Sequence, residues 1–566
     1  MFRFYVLFFL IPFSSVAQFK TNPTYPKGFF RNPLDIPISL AGNFGELRPN
    51  HYHMGLDLKT DRRENLPVHA AGDGYISRIK IEPWGFGRAI YITHPNGFTT
   101  LYAHLNDFMP ALETWVTDQQ YETQSWSIYR ELPPGKFPVK KGDLIAYSGN
   151  TGGSMGPHLH FEFRRTADDV NLNGMFFGLP LPDNTKPKLI RLALYDRTKS
   201  TYEQSPRLLA LSAKSNGDFS AAAQTVSTPK ISYAITAYDT HTGSTNLNGV
   251  YEAVLYDNDK AVVGFRMENI SYAGTRYLNA HIDYKTKANG GAYLQHLSEL
   301  PGYENSIYTR FNGDGVLDIA DGAVHNIRIE VKDANGNTSV AHTTVKYDGK
   351  PVLFSPPAGQ RFYPGMLGVF ESPECEFVLG EHALYDSVTV AYSQQAASLP
   401  ELVSNTHNIG NKGIPIQDFL VVRIKLTKGI PADLIQRVVM QRFIDKKTEV
   451  VPVTWDKGWA TGRFRDFGRF QLVLDTTAPV IQPVGWRDGD NLAKASRLVF
   501  TVNDNLDDWR MTRSLLDGKW IRFTNDKGKR FIYKFDERCG PGDHQLLIIA
   551  FDAAGNRVEK LFRFSR

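Results

Sequence analysis

Gly149-Asn150-Thr151-Gly152-Gly153-Ser154-Met155-Gly156-Pro157-His158-Leu159-His160-Phe161-Glu162 begins as a glycine-rich turn and ends as a strand. The glycines and Pro157 bring the chain through a tight approach. From His158 onward polar and apolar residues alternate. Successive side chains of an extended chain point to opposite faces, so His158, His160 and Glu162 share one face while Leu159, Phe161 and Phe163 share the other. The apolar face belongs in a core, which leaves the two imidazoles on a surface or in a cleft. Glu162 could contact a group that supports the site, but it reads rather as a strand-surface carboxylate.

Working outward, short β-type runs separated by glycine turns fill the flanking sequence, at about residues 75–81, 89–94, 99–104 and 144–148. Two further groups of metal-binding residue types lie upstream, His53-Met54-Gly55-Leu56-Asp57 and Tyr102-Ala103-His104-Leu105. The helical His-Glu-x-x-His zinc signature is absent. A catalytic zinc needs about three nitrogen or oxygen ligands and one open position, and these ligands can come from distant parts of a chain. Residues 106–138 form a polar, aromatic segment with Trp115, Tyr121, Trp126 and Tyr129. It is long for a simple connection and reads either as a lid or as an inserted subdomain, its aromatics shaping a groove or packing a small core.

His-x-Gly-x-Asp, then Tyr-Ala-His-Leu, then Gly-Pro-His-Leu-His-Phe-Glu resemble, in this order, the lysostaphin/LytM-type zinc endopeptidases. Residues 67–74 and 139–143 resemble the family's biotin-carrier-like β segments, so the likeness covers roughly 36–165. The resemblance implies zinc (Zn2+) held by His53, Asp57 and His160, with His104 and His158 as the catalytic pair. It leaves open which of the pair is the base. His51 is the nearest competing ligand, but the position of Gly55 puts His53 in the motif, and His69 and His94 fall outside it.

The later chain repeats itself. Asp183-Asn184-Thr185-Lys186-Pro187 is echoed by Asp475-Thr476-Thr477-Ala478-Pro479. The run from His325 to Asn337, ending Asp333-Ala334-Asn335-Gly336-Asn337, is echoed from His544 to Asn556, ending Asp552-Ala553-Ala554-Gly555-Asn556. Each is a strand entering a turn, with a second strand beyond it. The expected fold class is therefore mainly β: a lysostaphin-like peptidase domain at 36–182, then β-sandwiches of immunoglobulin-like type at 183–347 and 475–566. A β-rich region of unclear class lies at 348–474. Asn312-Gly313-Asp314-Gly315 with Asp318 and Asp321 has incomplete calcium-loop spacing and reads as a polar turn.

Met1-Phe2-Arg3, the apolar run 4–13 and Ser14-Ser15-Val16-Ala17 read as a cleaved signal peptide, residues 1–17, with an extended arm at 18–35. The expectation is an exported protein, periplasmic or associated with the cell wall, with no transmembrane segment in the mature chain. Its two cysteines, Cys375 and Cys539, fall in different regions and read as unpaired thiols. A net charge of +5 over 566 residues argues against a nucleic-acid binder, which concentrates basic residues. The family implies peptidoglycan peptides as the substrate. Two other readings stand beside an active endopeptidase. One is a non-catalytic regulator of wall hydrolases, disfavoured because all five site residues are kept. The other is an adhesion or scaffold protein acting through its tail.

Overall fold

The computed structural model describes Phe19 and residues 25–566, apart from 243, 305, 306, 351–353 and 529. The signal peptide read at 1–17 lies outside the described residues. The chain is mainly β, as expected, with 45% strand and 7% helix.

The first domain is built on one antiparallel sheet. Its strands are β1 (Leu56–Lys59), β2 (Gly74–Ile81), β3 (Arg88–Thr93), β4 (Phe98–Ala103), β5 (Ile128–Glu131) and β7 (His158–Arg165), while β6 (Leu144–Ser148) belongs to a small second sheet. The order across the main sheet is Leu40–Gly42, β1, β7, β4, β3, β2, β5. This places β7 centrally, with Asp57 of β1 directly opposite His160 and Ala103 of β4 on its other side. The alternation read from the sequence holds: Leu159, Phe161 and Phe163 are fully buried in the domain core.

Tyr25, Phe30 and Leu34 of the arm join the same core. The Phe30 ring lies 5.0 Å from that of Phe163, so these residues cover the side of β7 opposite its histidines. Between β4 and β5 runs α1 (Pro110–Glu122), which buries Leu112, Val116 and Gln120, one every four residues, against the sheet. Trp115 and Trp126 pack on the domain's own core, whereas Tyr121 packs edge-on against Trp520 of the last sandwich. The 106–138 segment is thus a structural layer, and β5 completes the sheet edge beside β2.

In 183–347 a five-stranded sheet containing β8 (Lys230–Tyr238) accompanies an eight-stranded one containing β9 (His325–Lys332) and β10 (Thr338–Tyr347). A continuous apolar core runs from here through the region that follows, as far as Leu472. The last ninety or so residues have a separate core between a three-stranded sheet with β11 (Arg497–Asn503) and a four-stranded sheet with β12 (Asp543–Asp552) and β13 (Arg557–Ser565). Both hairpins expected from the repeat form, β9 with β10 and β12 with β13. Cys375 and Cys539 are buried and unpaired. Among the described residues no helix is long and apolar enough to cross a membrane.

Candidate metal centre

Antiparallel pairing brings Asp57 across from His160, and the turn before β1 returns His53 to the same point. Gly55 permits this turn: a Cβ there would stand 2.6 Å from the Phe161 carbonyl oxygen and 3.1 Å from the His160 ring. His53 Nε2, His160 Nδ1 and Asp57 Oδ1 form a triangle with sides of 3.0, 3.0 and 2.9 Å. Two imidazole nitrogens facing one another with a carboxylate oxygen is a poor arrangement without a cation, and it is the donor set zinc prefers.

Surrounding contacts choose the donor atoms. His53 Nδ1 meets the Asn43 carbonyl at 2.7 Å, so Nδ1 carries the hydrogen and Nε2 presents its lone pair. His160 is held the other way round: Nε2 donates to Glu162 Oε1 at 2.8 Å, which leaves Nδ1 free for a ligand. Arg48 binds the second Asp57 oxygen at 2.5 Å. Burial would raise the Asp57 carboxyl, but His53, His158 and His160 around it hold it well below its ordinary value.

Glu162 is not the surface group read from the sequence. It is fully buried, ion-paired to Arg164 at 2.7 Å, and accepts hydrogen bonds from Asn171 Nδ2 at 2.7 Å and Tyr272 Oη at 2.7 Å. The reason is tertiary. Asn269–Ile270 from the next domain pairs with Asn171–Leu172 and so extends the first domain's sheet. Tyr272 comes directly after it and closes over Glu162, 110 residues away in sequence. Arg48, Arg164 and Tyr272 carried no signal in the sequence, because nothing local to them marks a distant partner.

His104 and His158 stand beside the triangle, with ring centroids 4.8 Å apart. His104 Nδ1 bonds the Thr151 carbonyl and His158 Nδ1 the Gly156 carbonyl, each at 2.8 Å. Both therefore turn Nε2 towards the cleft, and His158 Nε2 comes within 3.3 Å of Asp57 Oδ1. Burial, reinforced by the neighbouring His160 and His158, pushes His104 down to about 3 and keeps it neutral. The partners on Thr151 and Gly156 explain the glycine-rich run. Gly152 packs backbone to backbone on Gly87, where a Cβ would stand 2.2 Å from the Gly87 nitrogen.

The remaining candidates lie elsewhere. His51 is exposed and bonded to the Pro49 carbonyl. His69 pairs with Asp35, and His94 bonds Thr100 and the Asp73 carbonyl. Of the Asn312–Asp321 turn, Asp318 and Asp321 cap the nearby amides of Ala320 and Ala323. On the rim of the cleft, the last sandwich touches the glycine loop: Gly152 N donates to Asp526 Oδ1 at 2.7 Å and Lys527 Nζ to the Ser154 carbonyl at 2.8 Å.

Residues 51–121 and 129–172 match the model of peptidase family M23, and residues 362–475 match that of the Zu5-like domain. An uncharacterised metalloprotease of Haemophilus influenzae is 31% identical over 27% of this chain and 28% of its own length. The DD-carboxypeptidase/endopeptidase Mpg of Neisseria meningitidis is 34% identical over 24% of each chain. This chain therefore spans about a quarter of the length of these relatives. Among solved structures, the catalytic domain of the antimicrobial peptidase lysostaphin from Staphylococcus simulans is 25% identical over 22% of this chain and 76% of that one, with a TM-score of 0.16. The domain that holds the histidine–aspartate triangle is an M23 peptidase domain of the lysostaphin/LytM family, and a Zu5-like domain stands C-terminal to it.

Proposed function

We propose that this protein is an exported zinc metalloendopeptidase that hydrolyses peptide bonds in the cross-links or stem peptides of peptidoglycan. The triangle of His53, Asp57 and His160, with two tautomer-fixed histidines beside it, carries this reading. His53 Nε2, Asp57 Oδ1 and His160 Nδ1 would hold the metal. Zinc bound there supplies a Lewis acid for the scissile carbonyl and lowers the pKa of water towards about 7.

The chain's own residues do the rest. His104, neutral and with its Nε2 lone pair turned to the cleft, accepts the proton of the attacking water. His104 then passes that proton to the leaving amine, and a hydrogen carried on His158 Nε2, on the Asp57 side, would support the developing oxyanion. Glu162 and Arg48 hold the ligands in their tautomer and rotamer. The peptidoglycan DD-endopeptidase ShyC of Vibrio cholerae, 30% identical over 24% of this chain and 27% of its own length, supports the substrate class, and the leader read at 1–17 fits a substrate outside the cytoplasm. The tail continues as sandwiches of immunoglobulin-like type flanking the Zu5-like region.

The test is zinc content measured together with release of new peptide termini from purified wall. Wild type is expected to hold about one zinc and to digest the wall. His160→Ala should lose the metal. His158→Ala should keep it while losing about 10²–10⁴ in turnover. A wild-type protein without zinc would overturn the reading, and so would zinc-loaded protein that leaves wall from several sources intact.

A further inference from the structure

The repeated segments of the tail bring acidic side chains together twice, in the same way and away from the zinc triangle. In the first copy Asp183 lies where the peptidase domain passes into the following sandwich. It meets Asp239, the residue just beyond β8, and His241, while Asp333, which opens the turn between β9 and β10, is close enough for its charge to act on Asp239. In the second copy Asp475 ends the Zu5-like match, Asp504 comes just after β11, and Asp552 closes β12. The supporting bonds are duplicated as well. Asn337 Nδ2 binds Asp333 Oδ2 and the Asp183 carbonyl, and Asn556 Nδ2 binds Asp552 Oδ2 and the Asp475 carbonyl.

The clusters are tight. Donor atoms of Asp183, Asp239 and His241 all lie within 4.8 Å of one another, as do those of Asp475, Asp504 and Asp552. Among the described residues neither Asp239 nor Asp504 forms an ion pair with a lysine or arginine, and the charges that act on them most are other aspartates. Asp239 is 2% exposed and its Oδ1 has no hydrogen-bond partner; Asp183 is 6% exposed and its Oδ2, also without a hydrogen bond, faces His241 Nδ1 at 3.6 Å. Asp504 is half-buried, with its Oδ1 atom inside and without a hydrogen-bond partner. An unsatisfied buried carboxylate oxygen costs about 1–3 kcal/mol or more, and gathering several without a countercharge adds repulsion. The buried oxygen without a hydrogen bond recurs at the same strand-end aspartate of the two domains, Asp239 and Asp504.

We propose that each cluster is a calcium site that locks the segment entering a sandwich to a strand end and a hairpin turn of that sandwich. The donors common to both copies are carboxylate oxygens, which suit a hard divalent cation. His241 stands with Asp183 and Asp239 in the first cluster, but Leu506 takes its place two residues after Asp504, so the nitrogen is not part of the shared set. Asp183 reaches its cluster from the start of the sandwich, where the peptidase domain passes into it, and Asp239 from the end of β8. A cation between them fixes the joint between the peptidase domain and its tail.

The experiment uses the full zinc-loaded chain, dialysed free of calcium and then titrated with Ca2+. Bound calcium, zinc content and the unfolding midpoint are followed together. Wild type is expected to bind calcium at both clusters and to unfold at higher temperature when loaded. Asp239→Asn and Asp504→Asn should each lose half of the bound calcium, and the double variant all of it, with zinc unchanged. In calcium-free buffer both variants should be at least as stable as wild type, because each removes an unanswered charge; a carboxylate with a purely structural role would instead lose stability. Absence of calcium binding by wild type at millimolar concentration would overturn the proposal. A double variant that binds as much as wild type would do the same.

Discussion

His104 follows β4 directly with φ at +60°, in the left-handed region that a side chain with a Cβ enters at a cost of roughly 1–2 kcal/mol. The turn is what aims its Nε2 at the cleft once Nδ1 is tied to Thr151. This strain belongs with function at this residue. His104→Gly and His104→Ala should both be inactive against wall. The glycine variant should be the more stable by about 1 kcal/mol, read from urea unfolding of zinc-loaded protein. Equal stability would mean that the backbone there is not strained. Glu162 teaches the opposite lesson at the same scale. Its charge survives full burial because Arg164 answers it and His160, Asn171 and Tyr272 bond it, and together they hold its carboxyl down at about 2 against the burial that would raise it.

At the scale of elements, β7 is the axis of the domain, with metal chemistry on one face and packing on the other. Phe163 lies under Phe30 of the arm and stacks on Phe177 at 4.0 Å. Phe163→Ala should therefore cost about 3–5 kcal/mol in denaturant unfolding and loosen the arm. Zinc stoichiometry of the folded protein should stay unchanged, since no ligand shares that face. Loss of zinc from folded Phe163→Ala protein would show the two faces to be coupled. The strand Asn269–Ile270 acts differently. By adding itself to the sheet it makes Tyr272, a residue of the following domain, part of the His160 support.

Across the whole molecule, the joints matter as much as the domains. In calcium-free protein, burial first, and then Asp333 and Asp183, raise Asp239 to about 7. Asp183, Asp333 and His241 are the titratable groups that face it. A carboxyl raised in the folded state holds a proton that the unfolded chain has already released. Its contribution to stability is complete below about pH 4 and is lost as pH rises through about 7. Comparing wild type with Asp239→Asn across that range isolates this group from its neighbours. The wild type should lose stability relative to the variant as pH rises in calcium-free buffer, and saturating calcium should make the wild type the more stable of the two, because only it keeps this site. Parallel pH profiles in calcium-free buffer would show that Asp239 is not raised.

Much of this was determined by the sequence alone. Period-two alternation at 158–163 dictates which face of β7 is buried, because strand geometry leaves no other choice. The glycine-rich turns at 149–156 and the repeated Asp-Ala-x-Gly-Asn turns arise from backbone conformations that few residues adopt. The grouping of His53, Asp57, His104, His158 and His160 was legible because three local motifs kept their order. What only the tertiary structure decided are contacts between residues with no local signature. These are the burial of Glu162 under Tyr272, the hold of Arg48 on Asp57, the arm on the far side of β7, and the packing of the 106–138 segment against both its own core and Trp520. The acidic clusters belong here too. Each aspartate alone reads as a turn residue, and only the folding of linker, strand end and hairpin to one point leaves their oxygens facing one another.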